Sequence, residues 1–278
     1  LMLITLSTWP AKRRSNKTGS RTAPKSFLSD SQWLLIEDLF PDPPVSKRGG
    51  RPRIAPGQCF VGVIFVLRTG CGWDYLPNWY PSPATCWRRL DEWTRTGVFQ
   101  KAWHRLLGKL DGLKQIRWDE CMADVFASKK RGESVGLTKR GKGTKVGVMI
   151  DANGLPLSIV ITGANVGESY IVETLVETSV EGRVPERLIY DKAADAEWLR
   201  KSLQRRQVEL ICPHRSNRVA PPLQDGRPLR RYVRRWKVER TISWLQGFRR
   251  LVTRYEFYDD LFQGFVQLAC LCLCLNRF

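Results

Sequence analysis

The tetrapeptide Asp151-Ala-Asn-Gly154 stands between two apolar runs, Thr144 to Ile150 and Leu155 to Thr162. Asn-Gly in that setting is the strongest short-range signal for a β-hairpin, because the tight turn that matches strand twist needs positive φ at both central residues. Another strand-like run, Trp118 to Ala127, precedes the hairpin. After it come a helical pattern near Gly167 to Thr178 and a short strand, Arg187 to Tyr190, that ends in Asp191. A helix from Ala194 to about Gln207 and a strand from Val208 to Cys212 follow. Three strands in succession and then alternating helix and strand fold as a mixed sheet covered by helices, so residues 114–278 are expected to form an α/β domain.

Upstream of Lys114 the pattern is helical. Ser29-Asp-Ser-Gln32 reads as a capping box that opens a helix through Phe40, with Trp33, Leu34, Ile36 and Leu39 at its apolar positions and Pro41-Asp-Pro-Pro44 stopping it. A second helix runs from about Pro56 to Arg68. A third starts at Ser82-Pro83, where Ser caps and Pro takes the first helical position. A last one spans Val98 to about Leu110. In the helix after Ser82, Trp87, Leu90 and Trp93 fall towards a core, and Arg88, Arg89, Glu92 and Arg95 towards solvent. Residues 26–113 thus fit a small all-α, helix-turn-helix-like DNA-binding domain that offers Arg88 and Arg89 to phosphate or guanine. A three-helix domain with an incidentally basic surface fits the same spacing.

Residues 1–25 read as a disordered basic tail. Their apolar start is too short for a signal segment and precedes Lys12-Arg-Arg without a small-residue cleavage site. In Lys47-Arg-Gly-Gly-Arg-Pro-Arg53, Gly and Pro keep the chain extended, so Arg51 and Arg53 either lie along a narrow minor groove or belong to a charged linker. The run Leu261 to Leu275 is shorter than the roughly 20 residues that cross a bilayer and reads as a buried closing helix.

Charge narrows the partners. The 46 Lys and Arg against 27 Asp and Glu leave +19, an excess that points to nucleic acid rather than to solubility alone. The 8 Cys include no C-x-x-C pair, and only His104 and His214 could assist them, so no zinc module is expected. Their apolar surroundings suit buried, reduced thiols and a cytoplasmic setting.

Within this cationic chain a few carboxylates are placed to do chemistry. Arg230 to Arg250 has helical apolar spacing, and at ~100° per residue Tyr232, Arg235, Glu239 and Gln246 fall within roughly 60° of one another. Glu239 alone could simply pair with neighbouring Arg. Asp124 lies in the first strand and Asp191 ends the strand after the crossover helix; if those strands are neighbours, the two converge, and Glu239 completes a three-acid cluster. Three acids so close repel unless hard divalent cations neutralise them, and two such ions about 3.5–4 Å apart promote phosphoryl transfer. Asp151 is accounted for by its turn, Asp195, Glu197 and Glu168 by helix starts. Glu120 shares a strand face with Asp124 and remains an alternative or supporting acid.

The segments Leu28-Ser-Asp-Ser-Gln-Trp33, Arg68-Thr-Gly-Cys-Gly-Trp73, Thr85-Cys-Trp-Arg-Arg-Leu90, Lys139-Arg-Gly-Lys-Gly-Thr-Lys145, Asp191-Lys-Ala193, Arg235-Trp-Lys-Val-Glu-Arg240 and Phe248 to Glu256 together carry a resemblance. The chain resembles insertion-sequence transposases of the IS5 group, within the DDE, RNase H-like superfamily. The resemblance implies an RNase H-like sheet, Asp124, Asp191 and Glu239 as catalytic acids and metal ligands, and Mg²⁺, replaceable by Mn²⁺, as cofactor. It implies that Tyr232 and Arg235, in a Tyr-x-x-Arg-x-x-x-Glu signature, contact the DNA end, with Lys237, Arg240 and Gln246 on the same segment. Gln246 and Ala194 stand where relatives carry Lys and an aromatic. The implied reaction is hydrolysis at the terminal inverted repeats followed by strand transfer, by a homodimer or larger multimer on double-stranded DNA. A DNA-binding protein without catalysis, or a nuclease on the same fold, are the competing expectations.

Overall fold

The computed structural model describes residues 27–40, 53–129, 132–138, 141–219, 221 and 226–278. The expected basic tail, Arg51 and most of the strip around it lie outside these residues.

The amino-terminal region is helical: α1 (Asp30–Leu34), α2 (Pro56–Thr69), α3 (Pro83–Arg95) and α4 (Val98–Gly112). The capping box at α1 is formed, with Ser29 Oγ accepting from the Gln32 N–H and the Gln32 side chain from the Ser29 N–H. The helix nevertheless ends at Leu34 rather than Phe40. Ile36 leaves helical geometry and a short 3₁₀ turn, Glu37–Leu39, follows, which lets Ile36 and Phe40 both be fully enclosed. Phe40 anchors an aromatic cluster, edge-on to Trp93 at 5.0 Å and to Phe60 at 5.2 Å.

On α3 the buried stripe is Cys86, Arg89, Leu90 and Trp93. This i, i+3, i+4, i+7 set is rotated by one position from the expected Trp87-Leu90-Trp93 face, as a period of 3.6 rather than 3 requires. Trp87 is accordingly exposed and Arg89 is buried, with its guanidinium on Glu92 Oε2 at 3.1 Å.

The second half holds one six-stranded sheet: β1 (Cys121–Lys129), β2 (Gly136–Thr138), β3 (Gly141–Ile150), β4 (Pro156–Gly163), β5 (Arg187–Ile189) and β6 (Glu209–Ile211). The order is β2-β3-β1-β5-β6, with β4 also on β3. Antiparallel pairing joins β3 to β1, β2 and β4, and parallel pairing joins β1 to β5 and β5 to β6. The sheet is therefore mixed, as expected, and β2 is an addition that the sequence pattern did not signal. The β3–β4 hairpin closes on Asp151, whose carboxylate accepts from the N–H groups of Asn153 and Leu155, while Gly154 takes φ +91°. A side chain at Gly147 would strike Ile171, so its absence lets α5 (Glu168–Glu177) lie flat on β3.

Helix α6 (Glu197–Arg205) precedes β6. Beyond it come α7 (Gly226–Leu229) and then the basic run, which is not one helix but three pieces: a 3₁₀ turn over Arg230–Arg235, α8 (Trp236–Gln246) and α9 (Arg249–Val252). The closing helix α10 (Asp259–Leu275) is buried along most of its length and packs on α2, α3, α4 and β4, so one hydrophobic core joins the helical region to the sheet. Arg254 is wholly enclosed just before it. Its nitrogens donate to the carbonyls of Glu133, Glu256 and Phe257, to Thr144 Oγ1 and to Asp259, which satisfies every donor nitrogen.

Candidate active site

The parallel pairing of β1 with β5 sets the site. Met122 lies opposite Ile189, so Asp124 and Asp191, each two residues further on, reach the same level of adjacent strands. That level is the carboxyl end of β5, where sheets of this kind open to ligands. Asp191 also caps the turn that follows, its Oδ1 accepting from the Ala193 N–H at 2.7 Å. Glu239 stands in the first turn of α8, which packs across β1 and β3 through buried Val238 and Leu245.

Asp124 is the most perturbed of the three. Burial pushes its carboxyl from 3.8 to about 6; the nearby charges of Asp191 and Glu168 add to the rise, against the pull of Arg235 and the Val125 N–H. The contribution from Asp191 reports that the two carboxylates share one local field.

Arg235 connects the strand to the helix. Its Nη2 donates to Asp124 Oδ2 at 2.5 Å and its Nη1 to Glu239 Oε1 at 2.7 Å. The same 3₁₀ turn is clipped to the foot of β1, where Arg231 and Arg234 both donate to Glu120 at 2.8–3.3 Å. Glu120 is thus a buried anchor for the basic turn and is not drawn towards Asp191. Carboxylate oxygens are the donors that hard divalent cations prefer, and a cation already bridges two of these three. Asp124, Asp191 and Glu239 therefore fit Mg²⁺ or Mn²⁺ in chemistry. Among the described residues no three His, Cys, Asp or Glu side chains gather closely enough to hold an ion, so the expected three-acid cluster is not assembled here, and Arg235 stands between Asp124 and Glu239.

Two further acids proved more than helix starts. Glu168 heads α5 and is held by the Tyr190 hydroxyl at 3.1 Å and Lys145 Nζ at 3.4 Å, and its charge is one of those that raise the Asp124 carboxyl. Asp195 is buried, and its oxygens accept from Arg200, Arg218 and the Arg215 N–H and pair with His214 Nδ1. Those contacts outweigh its burial and hold its carboxyl below the ordinary carboxylate value. Spacing along the chain could not show either, since both partner sets come from distant strands and loops.

The remaining candidates are distributed over two regions. Arg88 is exposed on α3, its Nε turned back to the Ala84 carbonyl at 3.0 Å. Arg53 is exposed and 3.9 Å from Glu92. Tyr232 is half-buried against the core, and Gln246 is exposed at the end of α8. Lys237 Nζ donates to the Ala152 carbonyl at 2.9 Å. Arg240 lies between the exposed rings of Trp236 and Trp244, 4.9 and 4.8 Å from their centroids.

Residues 28–103 match the family described as "Putative transposase of IS4/5 family", and residues 124–275 match the transposase DDE domain. An uncharacterized 16.2 kDa protein of insertion element IS402 from Burkholderia cepacia is 35% identical over 120 residues, 40% of this chain and 82% of that protein. The "Putative transposase for insertion sequence element IS402" of the same organism is 34% identical over 142 residues, 48% of this chain and 64% of the relative. In overall shape the chain is similar to the piggyBac transposase, seen in a synaptic complex with hairpin DNA, with a TM-score of 0.52 at 12% identity over 90% of this chain and 73% of that one.

Proposed function

That the chain belongs to the DDE transposases is the premise from which we propose that it binds the ends of an insertion sequence and catalyses strand cleavage and strand transfer there. The observation that carries the reading is the register that brings Asp124 and Asp191 to one level, with Glu239 tied to Asp124 through Arg235. Asp124, Asp191 and Glu239 would hold divalent cations, which would supply the activation of water or a 3′-hydroxyl and the charge stabilisation of the leaving oxygen. The residues themselves do the rest. Asp124, half-way along β1 and paired with Arg235, would offer its carboxylate to the cation once that guanidinium leaves. Arg235 moves from the acids to a DNA phosphate, for which a planar guanidinium is well shaped. Tyr232, Lys237, Arg240 and Gln246 line the segment along which that strand would run.

The helical region carries end recognition in this reading, through Arg88 and the basic strip that includes Arg51 and Arg53. The working form is a homodimer or larger multimer on paired ends. Cleavage of a labelled element-end duplex in Mg²⁺ or Mn²⁺ tests the proposal. Asp191→Asn and Glu239→Gln should each lower the rate by at least about 10²–10³-fold, the scale for removing one charge-stabilising group from a transition state. Cleavage that persists in both variants refutes it.

One observation favours a second reading, a DNA-binding protein that does not cut: a single guanidinium already bridges two of the three acids. Salt-sensitive duplex binding without metal-dependent cutting by the unaltered chain would select it.

A further inference from the structure

Beside the acids, the loop that leaves β6 gathers more positive charge than the fold uses. Asp195 has only 2% of its side chain exposed and faces three guanidinium or imidazole partners: Arg200 and Arg218 at 3.2 Å and His214 at 3.1 Å. Its other oxygen takes the Arg215 N–H at 2.9 Å. The Arg215 side chain then reaches back to the carbonyls of Lys192 and Ala193 at 3.2 and 2.6 Å, the two residues that follow Asp191. One buried carboxylate thus organises Arg200, Arg215 and Arg218, and leaves two of their three positive charges uncompensated. Glu197, whose charge is felt by Arg218, is already paired with Lys201 at 2.8 Å.

Hydrogen-bond capacity separates this cluster from a structural one. Arg254 is enclosed to the same end and has every donor nitrogen satisfied. Arg218, with 12% of its side chain exposed, leaves Nε and Nη2 without a partner among the described residues, and Arg200, whose terminal nitrogens go to Asp195 and the Leu210 and Cys212 carbonyls, leaves Nε; these three nitrogens are shut off from solvent as the cluster stands, so a phosphate would reach Arg218 only by a shift of its side chain. A buried guanidinium nitrogen without an acceptor costs free energy, and a fold that needed it only for Asp195 could have used a shorter side chain. The excess charge, the spare donors, exposed Arg215 and exposed Lys192 lie together one turn from Asp191 at the carboxyl end of the parallel strands.

We propose that Arg200, His214, Arg215 and Arg218 form a phosphate-binding site that holds the DNA backbone next to Asp191. Phosphate oxygens complement forked guanidinium donors, and Asp195 fixes the forks so that little side-chain freedom is lost on binding. The site rests on the proposed transposase function and adds contacts outside the Tyr232 to Gln246 segment. Its place also gives Arg215 a double task, since the residue that meets the phosphate steadies the turn that Asp191 caps.

The test is equilibrium binding of a fluorescein-labelled, mixed-sequence duplex to the full chain over a series of KCl concentrations without divalent metal. Each phosphate contact contributes about 0.9 to the slope of log affinity against log salt. Arg215→Gln and Arg218→Gln should each lower the slope by about that amount and weaken all sequences alike. Arg206→Gln, which removes a guanidinium paired with Glu177 at the other end of α6, should leave it unchanged. Melting temperatures are recorded in parallel; Arg215 is exposed, so its variant decides the matter even where Arg218→Gln folds poorly. Slopes equal to wild type in both variants overturn the phosphate site while leaving the transposase reading intact. Absence of salt-dependent binding in the wild type overturns both.

Discussion

Asp124→Asn should make the protein more stable at neutral and alkaline pH, although it removes a proposed catalytic group. In the folded chain the Asp124 carboxyl titrates at about 6, against an ordinary value of 3.8. Folding therefore raises its proton affinity. The stability that protonation provides is complete below about pH 4 and is lost as pH rises through about 6. At about 1.4 kcal/mol for each pH unit between the two values, ionised Asp124 costs the fold up to about 3 kcal/mol above pH 7. Asparagine has the shape of the protonated acid and never ionises, so it escapes this cost. At roughly 2 °C per kcal/mol for a chain of this length, the variant should melt about 4–6 °C above wild type at pH 8 and within about 1 °C of it at pH 4. Circular dichroism melts across pH 4–8 without divalent metal measure the difference. A variant that melts at or below wild type at pH 8, or with an offset that does not change with pH, refutes the claim that burial and neighbouring acids strain Asp124.

Two other outcomes follow from the same geometry. Arg235→Gln takes away the cation that bridges Asp124 and Glu239, so the free chain should bind Mn²⁺ about tenfold more tightly, corresponding to about 1.4 kcal/mol for the released ion pair. Electron paramagnetic resonance of free Mn²⁺ reads this directly, and an unchanged affinity would show that Arg235 does not compete with metal. On α3, Arg88→Ala should reduce preference for element ends in a competition assay, whereas Arg89→Ala should lower the melting temperature and leave that preference alone; the reverse pattern would move the DNA contact to the buried face.

The fold was legible where local chemistry decides it. Asn153-Gly154 marked the hairpin, Ser82-Pro83 the start of α3, and the run of strands before alternating helix and strand gave a mixed sheet. Asp124 and Asp191 could be paired from the sequence because Asp124 lies within one strand and Asp191 just beyond its parallel neighbour, but the place of Glu239, tied to Asp124 only through Arg235, was not readable from spacing. Less visible were features set by contacts between distant residues. Arg89 looks solvent-facing on a three-residue period, but the 3.6-residue period of the helix carries it inward beside Leu90. Asp195 looks like a helix start, yet besides Arg200 of that helix its partners His214, Arg215 and Arg218 meet it only once β6 has returned beside β5. The basic run from Arg230 looks like one helix, but Arg231 and Arg234 pull its first turns down onto Glu120 and tighten them to 3₁₀ geometry.

That last departure bears on how the site would be switched on. A continuous helix would have left the arginines of the Arg230–Arg235 turn facing solvent, free to bind any polyanion. Arg231 and Arg234 are instead clipped to Glu120, and Arg235 to Asp124 and Glu239, so each of these three arginines is already paired with an acid of the chain's own. On the proposed function, a DNA backbone seated on Arg215 and Arg218 would bring phosphates within reach of Arg235 and draw it off Asp124. The uncovered carboxylates would then repel one another, and a divalent cation is the group that relieves this repulsion. Metal affinity should therefore rise when duplex DNA is added to the wild type and should not rise further in Arg235→Gln. Such coupling would keep a metal-dependent DNA-cutting centre closed until its substrate is in place, with no moving domain and with one side chain as the element that changes partner.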